Sequence, residues 1–179
     1  ISLSRFYLSL NYHIEAKKTI DPIKDAVEKF GYLGLGPLIE CVMGTYFMYI
    51  EADMWKAFEH LSEAAKRFEG FDSKMFRYAK HQLAYCMMTT HGYEEGLKLF
   101  NEILESAQSD NDVSRILGIK TSLTKFFLVN FGEIELALRF SAEALEISQG
   151  GTRSEKAKAL ASRGHAFWAK GQIKESIIY

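Results

Sequence analysis

The stretch "GYEEGLKLFNEIL", residues 92–104, joins a glycine turn and two glutamates to a run of apolar residues. The apolar residues recur every three or four positions, at Leu97, Phe100, Ile103 and Leu104. This is the period of one face of an α-helix, and no alternating strand pattern accompanies it. The small residue Gly96 stands just before the run, where two helices have to approach closely. The stretch therefore predicts a turn followed by a helix that packs on the preceding one.

The same signal occurs five times along the chain. A small residue follows a polar turn and opens an apolar helix at Ala16, Ala57, Gly96, Ala137 and Ser176, at intervals of 41, 39, 41 and 39 residues. We call these five residues the small marks. Upstream of the last four of these marks, a second apolar segment has a small residue in mid-helix, at Gly44, Ala84, Thr124 and Gly164. We predict that each unit is a pair of antiparallel helices. One such pair cannot bury its apolar face alone, whereas stacked pairs can.

The connections between units agree with this division. They are polar and contain glycine or serine, as in "EGFDSK", "SAQSDND" and "SQGGTRSEK", and each is followed by good helix N-caps. We predict one helical-repeat domain over 1–179, with an irregular unit at about 1–37, units at 38–70, 71–109 and 110–150, and a truncated unit at 151–179. The predicted helices lie near 38–50, 53–68, 74–90, 93–107, 112–130, 133–148 and 154–170, with a last one starting at 172.

The first unit leaves two questions open. Pro22 either kinks the second helix of that unit or starts a new helix with Asp21 as its cap. The mark of this unit lies either at Ala16 or, if Ala26 corresponds to Ala64, at Thr19. The following "GYLGLGPL", residues 31–38, lacks the strand and helix context of a nucleotide-binding loop, so we interpret it as a bend between repeats.

The two ends of the chain are unusual. Ile1 is not an initiator residue, and the last helix begins an apolar face that the chain does not complete. We therefore expect a segment of a longer protein. Since a solenoid needs polar capping helices to stay soluble, we also expect self-association through the residues of this open face, Ile173, Ile177, Ile178 and Tyr179.

Composition excludes several function classes. With 22 basic and 23 acidic residues the net charge is -1, so the chain has no general electrostatic attraction for nucleic acid or an anionic membrane. No apolar run is long enough to span a bilayer. Cys41 and Cys86 lie in apolar helical patterns and are predicted to be buried, reduced thiols of a cytoplasmic protein. The five histidines have no metal-ligand spacing, and no nucleophile or phosphate-loop motif occurs. We predict no metal, no cofactor and no enzymatic activity.

The phrases "GYEEGLKLFNEIL", "GEIELALRFSAEALEI" and "LASRGHAFWAKGQIKESI" resemble tetratricopeptide repeats. The matching positions are Ala84, Gly164, Ala137, Ala144, Tyr93, Ile134 and Ile173. The repeat departs from that family in being nearer forty than thirty-four residues, in lacking a closing proline, and in having Gly96 where alanine is usual. The resemblance covers residues 38–179 well and the first 37 loosely. It implies an all-α, right-handed superhelical stack of helix hairpins, similar to the long repeats of large multidomain regulators and of kinesin light chains.

In such a stack the first helix of each hairpin lines a concave groove. The predicted groove residues are Thr45, Met48, Tyr49, Tyr78, His81, Tyr85, Met88, Lys125, Leu128, Lys158, His165 and Trp168. Aromatic and methionine side chains are typical of interface cores, so a peptide or protein is the expected ligand. Of the carboxylate-clamp positions of the tetratricopeptide family, only Lys158 fits. The alternative is a sensor module that binds a small ligand or signalling peptide in a transcription regulator, ATPase or cyclase.

Overall fold

The computed structural model of the chain describes residues 2–30, 35–70 and 72–179, and these residues form helices and turns without a strand. The α-helices are α1 (Ser2–Ser9), α2 (His13–Phe30), α3 (Gly36–Tyr46), α4 (Met54–Phe68), α5 (Ser73–Thr90), α6 (Tyr93–Ser109), α7 (Val113–Phe126), α8 (Ile134–Ser148), α9 (Arg153–Ala169) and α10 (Ile173–Ile178). Two π-helical segments, Phe47–Glu51 and Phe127–Phe131, directly follow α3 and α7. The all-α prediction is confirmed.

The five small marks of the sequence lie in the second helix of each pair, that is in α2, α4, α6, α8 and α10. The side chains of Ala16, Ala57 and Ala137 are fully buried. At Gly96 even a methyl group has no room, because an added Cβ would lie 2.6 Å from the carbonyl oxygen of Ala84 in α5. The departure from alanine at Gly96 therefore follows from a closer approach of α5 and α6.

Each pair of helices is joined by a turn with one residue in the left-handed region. These residues are Asn11, Ala52, Gly92, Gly132 and Gly171, with φ between 55° and 102° and a spacing of about 40 residues. The turn residue precedes the small mark by four or five positions in every pair. Asn11 stands in this relation to Ala16, which decides the register of the first unit in favour of Ala16 over Thr19.

Helix α2 runs without interruption through Pro22. Asp21 does not cap a new helix, because its carboxylate accepts from Lys17 one turn earlier, at 2.6 Å. The interpretation in which Pro22 starts a helix is therefore wrong. Residues 31–34 of the glycine-rich stretch lie outside the described residues, and Gly36 and Pro37 form the first turn of α3.

The helices group into two compact units, Ile1–Phe100 (unit 1) and Asn101–Tyr179 (unit 2). The core of unit 1 contains large buried side chains from α2, α3 and α4, including Ile20, Val42 and Phe68. In unit 2, α8 packs between α7 and α9, with Leu117, Ala144 and Ala159 in contact. In both units the small residues allow the helix axes to come close, and the larger apolar residues fill the remaining space.

Candidate functional site

Three of the predicted groove residues of unit 1 lie in one polar aromatic cluster. The hydroxyl group of Tyr49 donates to the side-chain oxygen of Gln82 at 2.8 Å, and the Tyr49 ring stacks on His13 with centroids 4.5 Å apart. Tyr78, Gln82 and Tyr85 share one face of α5, at spacings of four and three residues. We call these five residues the tyrosine cluster. It joins α2, the π-helical segment after α3, and α5.

The tyrosine cluster is uncharged at neutral pH. Burial raises the pKa of Tyr49, with a smaller contribution from Tyr85 and Cys86, and burial also raises the pKa of Tyr78. Burial lowers the pKa of His13, so its imidazole is neutral. The Tyr78 hydroxyl and the His13 Nδ1 atom are buried without a hydrogen-bond partner. Each such atom has lost its hydrogen bonds to water without replacement, which costs stability.

The structure places three predicted groove residues in the core instead of at the surface. Thr45 is fully buried, and its hydroxyl donates to the carbonyl oxygens of Cys41 and Val42. Met48 is buried because it lies in the π-helical segment, whose wider turn changes which residues face α4. Met88 is buried against α6, beside the space that Gly96 leaves open. None of the three side chains is available to a ligand on the surface.

His81, the remaining predicted groove residue of unit 1, and Tyr85 of the tyrosine cluster are partly buried. His81 packs edge-on against Phe100, with centroids 5.3 Å apart, and burial lowers its pKa to about 4. Its imidazole is therefore neutral and does not attract an anion. Tyr85 packs against the buried cluster that contains Met48 and Cys86. Contacts in this part of unit 1 are thus aromatic and neutral.

The predicted residues of unit 2 are mostly exposed. Lys125, Lys158 and His165 are exposed, Leu128 is half-buried, and Trp168 is 67% exposed. Lys158 and His165 lie seven residues apart on one face of α9, and between them Ser162 has a buried hydroxyl with no partner. A cation, an imidazole and an indole therefore follow one another along the α9 surface, with the Ser162 hydroxyl buried beneath them.

The sequence analysis missed a separation of charge between helices in unit 2. Helices α7 and α9 contain seven lysines and arginines and one glutamate, whereas α8 contains three glutamates and one arginine. Some of the basic side chains bind partners within unit 2. Lys120 pairs with Glu143 at 2.5 Å, and Arg163 donates to the Leu138 carbonyl. Net charge summed helix by helix reveals the pattern, which a search for runs of basic residues does not.

The last helix leaves apolar side chains at the surface. Ile173, Ile177 and Ile178 are exposed, Ile177 to 79%. Tyr179 is held by stacking on Phe167, with centroids 5.6 Å apart. The backbone of α10 approaches Gly164 of α9, so this helix is packed on one side and open on the other.

Neither a metal site nor a membrane-spanning helix is found among the described residues. They contain no group of three or more His, Cys, Asp or Glu side chains placed to hold a metal ion. They also contain no helix with the length and apolar character that crossing a membrane requires. Cys41 and Cys86 are buried free thiols, and burial raises the pKa of each to about 12. The prediction that these cysteines are buried and unpaired is confirmed.

No protein-family profile matches the chain, and no curated protein matches its sequence. Solved structures do match its fold. A kinesin light chain protein of Podosopora anserina with nearly identical TPR-like repeats superposes with a TM-score of 0.62 at 15% identity, over 99% of this chain and 88% of its own. BtubC (BKLC) from P. vanneervenii superposes with a TM-score of 0.62 at 15% identity, over 99% of this chain and 84% of its own. At this identity the likeness concerns the fold, and the chain is an all-α protein of TPR-like helical repeats.

Proposed function

We propose that this chain is a protein- or peptide-binding repeat segment of a larger, cytoplasmic regulatory or scaffolding protein. The ligand contacts the first helices of the hairpins, and the segment itself catalyses no reaction. The observation that supports this proposal best is the exposed row Lys158, His165 and Trp168 on α9. Large aromatic side chains of this kind are enriched in binding surfaces.

The ligand of unit 2 is an acidic segment with an apolar residue. Helices α7 and α9 are basic, and Lys158 is exposed on α9, where Glu155, one turn earlier, is the only acidic residue of the helix. A carboxylate of the ligand is paired with the exposed Lys158 ammonium group. An apolar side chain of the ligand packs on the exposed ring of Trp168, which provides contact area at low entropic cost.

The ligand of unit 1 is less charged than the acidic ligand of unit 2. The tyrosine cluster presents phenol, imidazole and carboxamide groups that are neutral at pH 7, and two of its buried polar atoms lack partners. Tyr49, the exposed member of the tyrosine cluster, is the contact for an uncharged polar group of the ligand, such as a carboxamide. Each unit thus has its own preference, one for a neutral polar residue and the other for an acidic residue.

The test uses a matched pair of charge reversals on α9. Lys158→Glu changes the proposed contact, and Lys156→Glu changes an exposed lysine only two positions away, on a different face of the helix. The probe is a fluorescein-labelled peptide of Glu, Asp, Leu and Phe, followed by fluorescence anisotropy at low salt. We expect Lys158→Glu to weaken binding about tenfold and Lys156→Glu about twofold or less. Equal effects of the two changes, or no binding to the wild-type chain, would contradict the proposal.

We also propose that the exposed strip of α10 supports self-association. Ile177 and Ile178 are the most exposed isoleucines of the described residues, and neighbouring isoleucines on an open helix face attract a second apolar surface. The test is light scattering coupled to size exclusion on the wild-type chain and on Ile177→Glu. We expect the wild-type mass to rise with concentration and the variant to stay monomeric. A wild-type chain that remains a monomer at every concentration would contradict this.

A further inference from the structure

A second exposed aromatic surface of unit 1 shares no residue with the tyrosine cluster. Trp55, the second residue of α4, is 61% exposed, and its ring lies 5.5 Å from that of His91. Phe58 follows one turn later, with its ring 4.2 Å from His91. Phe58 is half-buried and packs against the core cluster that includes Leu61. The exposed rings are therefore supported from below by the core of unit 1.

Three exposed carboxylates lie close to these rings in the chain, one next to Phe58 and two within four residues of His91. Glu59 is four residues after Trp55 and shares its side of α4. Glu94 and Glu95 are exposed in the first turn of α6, immediately after the exposed Tyr93. Among the described residues none of the three glutamates forms an ion pair. We call the set formed by these carboxylates and rings the Trp55 patch; it comprises Trp55, Phe58, Glu59, His91, Tyr93, Glu94 and Glu95.

Lys56, the neighbour of Trp55 in the chain, does not neutralise these carboxylates. Lys56 pairs with Asp53 at 3.2 Å, and its ammonium group lies over the ring of Phe47, 5.2 Å from the centroid. The Trp55 patch is consequently negative as well as aromatic, although the chain as a whole has a net charge of only -1. Local charge of this kind selects a partner of opposite sign.

Aromatic rings in this protein are often covered by a cation. A lysine or arginine lies over the rings of Tyr46, Phe47, Phe76, Phe140 and Phe167, at 4.3 to 5.3 Å from the centroid. Indole is the best ring for such a contact. Yet no cation of the described residues lies over Trp55. The strongest cation-binding ring of unit 1 is thus open on a surface with three unpaired carboxylates.

We propose that the Trp55 patch docks an arginine-bearing segment of a partner protein. The guanidinium group stacks on the exposed indole, and Glu59, Glu94 and Glu95 provide the opposite charge. Arginine fits better than lysine because its guanidinium is planar and weakly hydrated, stacks on aromatic faces, and pairs with carboxylates through two hydrogen bonds. An apolar residue next to the arginine packs on Phe58 and Tyr93. This surface differs from the α9 surface both in position and in the sign of its charge.

The experiment observes the two tryptophans of the chain separately. Trp55 and Trp168 each give one indole N–H signal in a proton–nitrogen spectrum of the isotope-labelled wild-type chain, and a Trp55→Phe spectrum assigns them. The probe is the capped peptide acetyl-Leu-Arg-Gly-Leu-Arg-amide. We expect it to shift the Trp55 signal saturably and to leave Trp168 unchanged. The same peptide with lysine in place of arginine should bind several-fold more weakly, and with glutamate it should not shift Trp55.

Two sets of charge-neutral variants complete the test. The variant E59Q/E94Q/E95Q removes the proposed charge, and the control E102Q/E105Q removes exposed carboxylates later in α6. We expect the dissociation constant to rise about tenfold or more in the first and about twofold or less in the control, with unchanged circular dichroism.

Several outcomes would overturn the proposal. Equal weakening in both variants indicates nonspecific attraction, and equal shifts of Trp55 and Trp168 indicate that the peptide does not select this surface. Equal binding of the lysine peptide removes the assignment to arginine. A Trp55 shift on concentrating the protein without peptide makes a second copy of the chain the occupant. Failure here is distinct from failure of the α9 site, which is tested with an acidic peptide and Lys158.

Discussion

The α3–α4 hairpin of unit 1 and the α7–α8 hairpin of unit 2 have the same unusual backbone and different residues. In both, the first helix ends in a five-residue π-helical segment, and a left-handed residue follows. That residue is Ala52 in one hairpin and Gly132 in the other, and each donates its N–H to the first carbonyl of the π-helical segment. Because alanine resists the left-handed conformation that glycine adopts freely, the shared turn is imposed by packing of the two helices and not by local preference.

The two hairpins also solve the same packing problem with different volumes. In the first, Gly44 faces Leu61, and a Cβ on Gly44 would lie 2.6 Å from the Leu61 Cγ atom. Two repeats later the corresponding positions are Thr124 and Ser141, both buried. A small residue on the first helix goes with a large one on the second, and an intermediate residue goes with a small one. For the packing of the two helices, the summed volume of the two facing side chains matters more than the size of either one.

The largest expected effect on stability comes from placing a residue of the second hairpin at the corresponding position of the first. Gly44→Thr places the unit 2 residue against Leu61, and we expect the free energy of unfolding to fall by about 3 kcal/mol because the added atoms overlap. In the double variant G44T/L61S, the second change removes the overlapping side chain. Urea unfolding followed by circular dichroism measures both. If the double variant loses as much stability as the sum of the two single variants, the volumes are not coupled.

A smaller effect is expected at the turn of the second hairpin. Gly132→Ala places a side chain at φ 65°, with nothing within 4 Å to collide with it. The loss of unfolding free energy should therefore be only the conformational cost, about 1 kcal/mol. The same urea titration measures it. A loss several times larger would mean that the methyl group meets a neighbour or that the turn changes its conformation.

The reciprocal change at the first hairpin should stabilise the protein. Ala52→Gly removes the cost of a left-handed alanine at φ 55°, while the glycine makes the unfolded chain more flexible. The two contributions oppose each other, so we expect a gain of about 0.5 kcal/mol. A clear loss of stability would show that Ala52 is not strained. Together, Ala52→Gly and Gly132→Ala measure how much the stability of the shared turn depends on whether alanine or glycine occupies its left-handed position.

The smallest effect is expected at the helix caps, where the hairpins also differ. The Asp53 carboxylate accepts from the Lys56 N–H at the start of α4, and this hydrogen bond lowers the Asp53 pKa. At the start of α8, Glu133 makes no such bond. Because the folded-state pKa of Asp53 is lowered, its contribution is present above the unfolded pKa and is lost as pH falls through the folded value. Asp53→Ala should lower the urea midpoint at neutral pH, and this difference should shrink in acid. Glu133→Ala is the control without a cap, and an equal effect there would contradict the assignment.

Much of the fold could be predicted from the residues alone. The small marks from Ala16 to Ser176 all lie in second helices, and the predicted helices agree with the observed ones to within a few residues except at the two π-helical segments. The groove was harder to predict. Thr45, Met48 and Met88 are in the core, because helical spacing does not include the π-helical turn or the space beside Gly96. Whether Tyr49, Lys158 or Trp168 binds a partner stays a prediction.

The period of about forty residues and the pairing of helices were determined by the sequence itself, since both depend on local patterns of small, apolar and polar residues. The course of α2 through Pro22, the left-handed Ala52 and the burial of Met48 were decided only by the tertiary structure. Each of these runs against a local preference and exists because contacts between helices outweigh it. The same applies to the Trp55 patch, in which the rings of Trp55 and Phe58 on α4 meet the ring of His91, after α5, only when these helices pack together.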